Sequence, residues 1–284
     1  MKIINYLFQA ILIYFLFFVG LILGINLSRK IFSFLFLIIG PIFKSKKIIK
    51  KNLLFFKNNI THIEIDTISK NMWKNYGMTF IEYIFLNFLR KNNSHIKVIG
   101  EENLDKLIHE NRQVIFISGH FANFELMSME ITKRKINLAT IYRPLNNFFL
   151  NPFMEYMRKK YVCDKQIKKG IQGVRESIEY INQKYSIALM VDQRVSEGEK
   201  VNFFSHPALT TTLPAQLSLK YNLGIIPVFI ERINNNKFQI EFQKEIRPND
   251  FKNKLELTKK LNLILEKMII KNPNQWIWTH NRWK

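Results

Sequence analysis

The most prominent pattern along the chain is an uncharged run from Ile3 to Ser28, made mostly of Ile, Leu and Phe. About 20 apolar residues in a helix cross the hydrocarbon core of a bilayer, and these side chains favour insertion. A signal peptide has a shorter apolar region of about 7–15 residues and then a cleavage site, and no convincing site follows this run. We therefore predict an uncleaved transmembrane helix within residues 1–30. A periplasmic protein led by a signal peptide is the alternative.

Positive charge lies mostly after this run. Lys2 precedes it, whereas Arg29 and Lys30 follow it, and further lysines come soon after: Lys44, Lys46, Lys47, Lys50 and Lys51. The positive-inside rule then predicts a single-pass protein of the bacterial cytoplasmic (inner) membrane with the rest of the chain on the cytoplasmic side. Within a basic segment at 31–60, the uncharged stretch 31–43 is too short to span and is either an interfacial or an ordinary buried helix.

Residues 61–284 show the pattern of one layered domain. Thr61 and Glu64 form a capping-box pattern that predicts a helix to about Arg90. Beyond it we predict strands at 114–117, 138–142, 187–191, 224–230 and 237–242, and helices at 121–133, 149–160, 174–185, 213–221 and 251–270. This alternation is typical of an α/β fold with a mostly parallel central sheet flanked by helices. In such sheets ligands bind at the carboxyl ends of the strands.

Composition adds a question about partners. The net charge is +21, and 14% of the residues are aromatic. Such a charge indicates an anionic partner such as membrane lipid, a phosphorylated substrate or an acidic carrier protein, or else a background skew in composition, since Lys, Ile, Asn and Phe are over-used together. Nucleic acid is not predicted, because the basic residues are spread along the chain and no zinc-ligand spacing accompanies them. The single Cys163 excludes a disulfide within the chain, and we expect it to be a core residue.

The candidate chemistry centres on His120, which follows the predicted strand 114–117. Gly119 permits a tight turn, and Glu125 comes shortly after in the predicted helix. We expect the Glu125 carboxylate to orient the imidazole so that its other nitrogen acts as a general base on a substrate hydroxyl. The alternative is that His120 is a packed or capping residue. No His-Glu-x-x-His zinc pattern, Gly-x-Ser-x-Gly elbow or Gly-rich phosphate loop is present, so we predict no metal and no nucleotide cofactor.

Other polar residues follow neighbouring predicted strands and should meet at the same edge of the sheet. Arg143 follows the strand at 138–142, and Asp192 and Gln193 follow the strand at 187–191. Arg158 lies on the helix at 149–160. We expect these residues to bind substrate, with Asp192 orienting an arginine that holds a phosphate or an oxyanion. Surface ion pairs of little consequence are the alternative.

The chain resembles the bacterial lipid A biosynthesis late acyltransferases, the lauroyl/myristoyl transferases of the lysophospholipid acyltransferase-like superfamily. The blocks that carry the resemblance run in order from near Asn52 to the last residue: Gly119-His120-Phe121-Ala122-Asn123-Phe124-Glu125, Tyr142-Arg143-Pro144, Asp192-Gln193, the segment from Phe203 to Thr212, and the ending from Gln275 to Lys284. The departures are small: Ala122 and Ser205 stand where that family usually has glycine, and Phe124 stands where it commonly has tryptophan.

The resemblance implies a glycerolipid acyltransferase-like fold and a reaction. His120, oriented by Glu125, would deprotonate a hydroxyl on a lipid A precursor, and that hydroxyl would attack an acyl carrier protein thioester. Arg158 and Asp192 match further functional residues of the family, and Asn123, Arg143 and Gln193 lie in its blocks as substrate-binding candidates. The partners would be acidic acyl carrier protein, an anionic lipid acceptor and the membrane, with no cofactor beyond the thioester co-substrate. Another acceptor, such as a lysophospholipid or glycolipid, and a non-catalytic membrane-tethered binder of anionic lipid remain alternatives.

Overall fold

A seven-stranded sheet forms the centre of the computed structural model, which describes residues 2–44, 46–234 and 237–284. The strands in chain order are β1 (Ile96–Ile99), β2 (Val114–Ser118), β3 (Leu138–Tyr142), β4 (Lys165–Lys168), β5 (Ser186–Met190), β6 (Glu199–Phe203), β7 (His206–Thr210), β8 (Gly224–Asn234) and β9 (Lys237–Phe242). The sheet order is β1-β9-β8-β2-β5-β3-β4, and β6 and β7 form a separate hairpin.

The sheet is mostly parallel, as its pattern predicted. Strand β2 pairs in parallel with β5 and β8, β3 pairs in parallel with β5 and β4, and β1 pairs in parallel with β9. Only the β8–β9 pair within the large sheet is antiparallel among the described strands. The predicted fold class is confirmed.

Helices cover both faces of the sheet. They are α1 (Lys2–Phe43), α2 (Lys46–Phe56), α3 (His62–Glu82), α4 (Leu86–Lys91), α5 (Glu101–His109), α6 (Glu125–Lys133), α7 (Asn151–Tyr161), α8 (Ile171–Asn182), α9 (Leu213–Tyr221) and α10 (Lys254–Lys271). Helices α2, α3, α9 and α10 contribute to one apolar core with one face of β2, β5 and β8. Helices α4 to α7 contribute to a second core with the other face. Alternate side chains of each strand thus enter different cores, which is the period-2 geometry of a buried strand.

Four of the strands were not expected from the sequence. Strands β1 and β4 have four residues each and include charged or polar side chains, so neither has a long continuous apolar run. The β6–β7 hairpin overlaps the segment from Phe203 to Thr212, which the sequence identified as a family block without predicting its strands. Its turn places Phe204 and Ser205 at φ of 50° and 61°, the left-handed conformation of a tight hairpin turn.

The capping box at Thr61 and Glu64 is confirmed, and it begins α3.

Helix α1 departs from the expected single straight span. Gly24 has φ 70° and ψ 166°, which breaks the helix inside the uncharged run. Glycine adopts this conformation at little steric cost. Helix α1 continues past residue 30 to Phe43, so the stretch 31–43 is helical. Met1 and Ser45, which the predicted segments 1–30 and 31–60 include, lie outside the described residues. The division into segments at 30 and 60 stays a prediction.

Candidate active site

The site lies where two neighbouring parallel strands end. Ser118 of β2 is in register with Met190 of β5, and the Val191 amide donates to the Ser118 carbonyl at 2.9 Å. His120 and Asp192 therefore occupy equivalent positions, two residues past each paired end. A Cβ at Gly119 would lie 2.7 Å from the Phe121 ring and 3.2 Å from Asp192 Cβ. Glycine is needed there because any side chain would push the two strand ends apart.

Asp192, rather than Glu125, is hydrogen-bonded to the imidazole. His120 Nδ1 lies 2.8 Å from Asp192 Oδ1, and the His120 amide donates to Asp192 Oδ2 at 2.9 Å. The indole Nε1 of Trp276 donates to the same Oδ2 at 2.8 Å. The Asp192 side chain is 2% exposed, and that of His120 is 19% exposed. A carboxylate on Nδ1 fixes the proton there and leaves Nε2 as the nitrogen with a free lone pair.

The environment keeps Asp192 ionised. Burial opposes its charge, but the nearby imidazole and the hydrogen bonds from His120 and Trp276 outweigh that effect. They lower the pKa of Asp192 to about 2. The carboxylate is thus a permanent acceptor, and it stabilises the imidazolium that forms when His120 takes a proton.

Glu125 occupies a different cluster. Its Oε1 accepts from Arg158 Nε at 2.8 Å and from the Tyr83 hydroxyl, and Arg158 Nη2 donates to the Tyr83 oxygen at 2.8 Å. The predicted contact between Glu125 and the His120 imidazole is corrected. Glu125 is the first residue of α6, because the chain from His120 to Phe124 forms a turn instead of the helix predicted from residue 121.

This cluster holds a cation at the wall of the site. Burial works against the charge of Arg158, but Glu125 and Tyr83 together raise its pKa above the ordinary value. Burial, with Glu125 adding to it, raises the pKa of Tyr83 well above its ordinary value, so the hydroxyl stays protonated. Glu125 acts through Arg158 in this geometry.

Asn123 does not reach the cleft, so its predicted contact with substrate is corrected. It is fully buried, and its Nδ2 donates to Glu82 Oε2 at 2.9 Å. Glu82 also forms ion pairs of 2.6 Å with Arg29 and Arg232. Burial opposes the charge of Glu82, but the two arginines hold its pKa below the ordinary value. Asn123 therefore ties the turn after His120 to a buried charge network.

A cavity of about 1380 Å³ opens in front of His120. One part of its lining is apolar and includes Ile13, Phe17, Phe80, Phe124, Leu150 and Met154. The other part is polar and includes the predicted substrate-binding residues Arg143, Arg158 and Gln193, together with Lys169, Arg194 and Thr212. Partial desolvation at the cavity wall, and then repulsion from Arg143, lowers the pKa of Lys169. Asp192 is not part of the lining, so its predicted direct contact with substrate is corrected to a contact with His120.

The C-terminal tail, from Gln275 to Lys284, completes the site. The sequence did not predict this contribution. Trp276 was expected to be a core or interface residue, yet its indole holds Asp192. His280 lines the cavity and its Nε2 accepts from the Arg194 amide at 2.9 Å. Burial lowers the pKa of His280 to about 4, so it is neutral. The Gln-Trp-x-Trp tail block was the signal that could have pointed to both residues, and Tyr83 had no such signal.

No metal cluster appears in the part of the chain that the structure describes, since no group of three or more His, Cys, Asp or Glu side chains could hold an ion there. The site combines a carboxylate-bound imidazole, a buried arginine and a two-part cavity. Such an arrangement can remove a proton from a bound hydroxyl and return it to a leaving group.

Comparison with known proteins assigns the family. The profile described as bacterial lipid A biosynthesis acyltransferase matches residues 1–284. The chain belongs to this family. A lipid A biosynthesis acyltransferase of Haemophilus influenzae is 22% identical over 242 residues, which are 84% of this chain and 76% of the relative. Among solved structures, the 1-acyl-sn-glycerophosphate (LPA) acyltransferase PlsC from Thermotoga maritima is 14% identical with a TM-score of 0.43, covering 88% of this chain and 97% of that one.

Family membership confirms the resemblance and the predicted enzyme class, and the protein is an acyltransferase of the lipid A biosynthesis family. Helix α1 is also long and apolar enough over Lys2–Ile42 to cross a membrane by length and composition, which is consistent with membrane association.

Proposed function

We propose that this acyltransferase moves a fatty acyl chain from an acyl carrier protein thioester to a hydroxyl of a lipid A precursor. The observation that carries the proposal is the His120–Asp192 pair at the meeting point of an apolar and a cationic cavity wall. The apolar wall fits acyl chains. The cationic wall fits phosphates and acidic sugars, which an arginine binds through two parallel hydrogen bonds.

In the proposed reaction, His120 Nε2 takes the proton of the acceptor hydroxyl while the hydroxyl oxygen attacks the carbonyl carbon of the thioester. The Asp192 carboxylate holds the ring and stabilises the imidazolium. The carbon–sulfur bond then breaks, and the thiolate leaves with the proton that His120 returns. General-base assistance of this kind contributes roughly 10²–10⁴-fold. No cofactor is required, because the thioester supplies the driving force.

Arg158 is the proposed source of positive charge for the developing oxyanion or for a substrate phosphate. It lines the cavity, and Glu125 and Tyr83 hold its guanidinium in one orientation. A preorganised cation needs no reorganisation when charge develops in the transition state. Glu125, which the resemblance places in the catalytic pair, is thus proposed as a positioning residue for Arg158.

Charge supports the proposed donor and the proposed location. The +21 net charge and the exposed Arg143 and Lys169 at the cavity suit an acidic carrier protein, because complementary charge steers association. Acyl carrier protein is a cytoplasmic partner. We therefore place the catalytic domain on the cytoplasmic side of the bacterial inner membrane. A reporter fused after Lys284 tests this, since a periplasmic signal would contradict it.

The reaction is tested by an acyl-transfer assay on detergent-purified protein with acyl carrier protein thioesters. Two acceptors compete in the assay, a tetra-acylated lipid A precursor and a lysophospholipid. We expect transfer to the lipid A precursor, lost in His120→Ala and retained in His109→Ala, which alters an exposed histidine of α5. Transfer only to the lysophospholipid would overturn the acceptor, and activity unchanged without His120 would overturn the base.

A further inference from the structure

Helix α1 folds back on itself at Gly24. The Phe17 and Phe32 rings lie 5.1 Å and 6.1 Å from the Phe80 ring, so they are within about 11 Å of each other. In a straight helix with a 1.5 Å rise, these positions would be separated by about 22 Å. The Ser28 hydroxyl also donates to the Gly20 carbonyl at 2.8 Å, where a straight helix would separate them by about 12 Å. The two arms, residues 2–23 and 25–43, therefore form a helical hairpin.

Both arms lie against the catalytic domain along their lengths. In the first arm, the Tyr6 carbonyl accepts from Asn147 Nδ2 at 2.8 Å, and the Tyr14 hydroxyl donates to the Phe149 carbonyl at 2.8 Å. The loop that makes these contacts follows β3 and reaches the cavity. A first arm that crossed the bilayer would carry Tyr6 far from this loop, since a spanning helix moves the chain by about 30 Å.

Glycines at two contacts let the second arm pack closely on α3. A Cβ at Gly77 would lie 2.2 Å from the Phe32 carbonyl oxygen, and one at Gly40 would lie 2.4 Å from the Trp73 ring. The buried ion pair between Arg29 and Glu82 adds a polar attachment. Removing one member of such a pair leaves an uncompensated buried charge, so the attachment resists separation of the arm from the domain.

The outer face of the hairpin is apolar. Exposed large side chains at helical spacings along both arms include Ile3, Ile4, Leu7, Phe8, Ile11, Phe15, Phe18 and Ile22, then Leu27, Ile31, Phe34, Ile38 and Ile42. Lys30 is exposed and lies close to the Gly24 turn. A long lysine side chain at such an end can reach the headgroup region while its stem stays in apolar surroundings.

The charge around the hairpin indicates what covers this face. No Asp or Glu occurs between Lys2 and Ile63. Lysines at the end of the second arm and on α2 are exposed: Lys44, Lys46, Lys47, Lys50 and Lys51. An apolar helical face bordered by lysines is typical of segments that lie in the interface of an anionic leaflet.

From these contacts we infer that the hairpin is a monotopic anchor seated in one anionic leaflet, with residue 2, the cavity and Lys284 on the same side of the membrane. This replaces the single crossing predicted from the uncharged run. Gln9, Ile13 and Phe17 of the first arm line the cavity, as do Lys44 and Ile48, which follow the second arm. Acyl chains thus enter the site sideways from the leaflet, a consequence that rests on the proposed lipid acceptor.

Thiol labelling in sealed membrane vesicles tests the topology. In a Cys163→Ser background, Lys2→Cys and Lys46→Cys are exposed to a membrane-impermeant maleimide in vesicles of each orientation. We expect both cysteines to react in vesicles of the same orientation, namely the vesicles in which a tag after Lys284 is accessible from outside. Reaction of Lys2→Cys from the opposite face overturns the inference. This labelling requires no turnover, so its result is independent of the proposed reaction.

Cross-linking tests the packing of the first arm in the same membranes. The Tyr6 and Phe148 rings are 6.1 Å apart, so Tyr6→Cys with Phe148→Cys should form a link with a short bifunctional thiol reagent. Phe8→Cys with Phe148→Cys is the matched control and should not, because Phe8 is 69% exposed on the outer face. Absence of the first link overturns the inference. A link between two chains through Phe15→Cys would make this face a contact between copies and overturn it as well.

Vesicle flotation tests the partner. Purified protein should bind phosphatidylglycerol vesicles more tightly than phosphatidylcholine vesicles, and Lys46→Gln or Lys50→Gln should reduce binding to the former about fivefold each. Equal binding to both vesicle types would contradict the anionic leaflet.

Discussion

Two carboxylates of the site, Asp192 and Glu125, have different hydrogen-bond partners. Asp192, 72 residues from His120 along the chain, accepts from the imidazole and from Trp276. Glu125, the nearer one in sequence, accepts from Arg158 and Tyr83. The difference teaches that adjacent parallel strand ends bring groups together more reliably than a short separation along a turn and helix.

The largest expected effect separates these two carboxylates. Asp192→Asn should lower kcat by ~10²–10⁴-fold with little change in KM, because an amide can stabilise the wrong tautomer and cannot stabilise an imidazolium. Glu125→Gln should raise KM and lower kcat by a smaller factor than Asp192→Asn, because it releases Arg158 while leaving the His120 pair intact. Steady-state kinetics on both variants measure the split. Equal kcat losses with KM unchanged in both would remove the distinction.

The next prediction concerns the buried charge network around Glu82, to which Asn123 ties the turn after His120. Glu82→Gln leaves Arg29 and Arg232 without their shared counter-charge and should reduce the free energy of unfolding by about 3–5 kcal/mol. Thermal unfolding in detergent measures it. Asp66→Asn, which breaks the exposed pair with Lys70, is the control and should change little. Similar unfolding temperatures for both variants would show that the network does not anchor the turn.

Trp276→Phe sharpens the role assigned to Asp192. The change removes one hydrogen bond to an ionised carboxylate, a loss of about 1.5–3 kcal/mol, and so should lower kcat roughly 10-fold or more. Trp278→Phe is the matched control, because its indole donates to the Pro273 carbonyl instead. If both variants kept wild-type kcat, the indole would serve packing alone.

A pH series tests the neutral state of His280. Its folded pKa of about 4 lies below the ordinary value of 6.5, with burial as the main cause. As pH falls from 6.5 towards 4, the unfolded chain binds a proton that the folded chain does not, so stability should fall. Asp192, whose pKa is lowered from an ordinary 3.8 to about 2, changes stability mainly below this window. His280→Gln should flatten the slope of unfolding temperature against pH, and an unchanged slope would contradict this origin.

The smallest expected effect concerns the turn between His120 and Glu125. Ala122 has φ 43°, a left-handed conformation that costs a non-glycine residue about 1–2 kcal/mol. Ala122→Gly should therefore stabilise the protein by about 0.5–1 kcal/mol in chemical unfolding. Ala188→Gly, in the buried strand β5, should destabilise it by a similar amount. A loss of stability in Ala122→Gly would show that packing of the methyl group outweighs the backbone strain.

Much of the fold could be predicted because its signals are local. Continuous apolar runs predicted β2, β3, β5 and β8, and the capping box predicted the start of α3. The position of His120 followed from the end of β2. The short edge strands β1 and β4 could not be predicted in this way, because each has only four residues, includes charged side chains and depends on a neighbouring strand for hydrogen bonds.

The sequence by itself determined the apolar surface of α1, the lysines that follow it, the α/β alternation and the histidine at the end of β2. Only the tertiary structure decided which carboxylate pairs with His120, because the register of β2 against β5 joins residues 72 apart in the chain. It also decided that α1 turns at Gly24. An uncharged run suits a straight span and a folded-back pair equally well, and the packing of both arms on α3, through Phe17 in the first arm and Gly40 in the second, selects the latter.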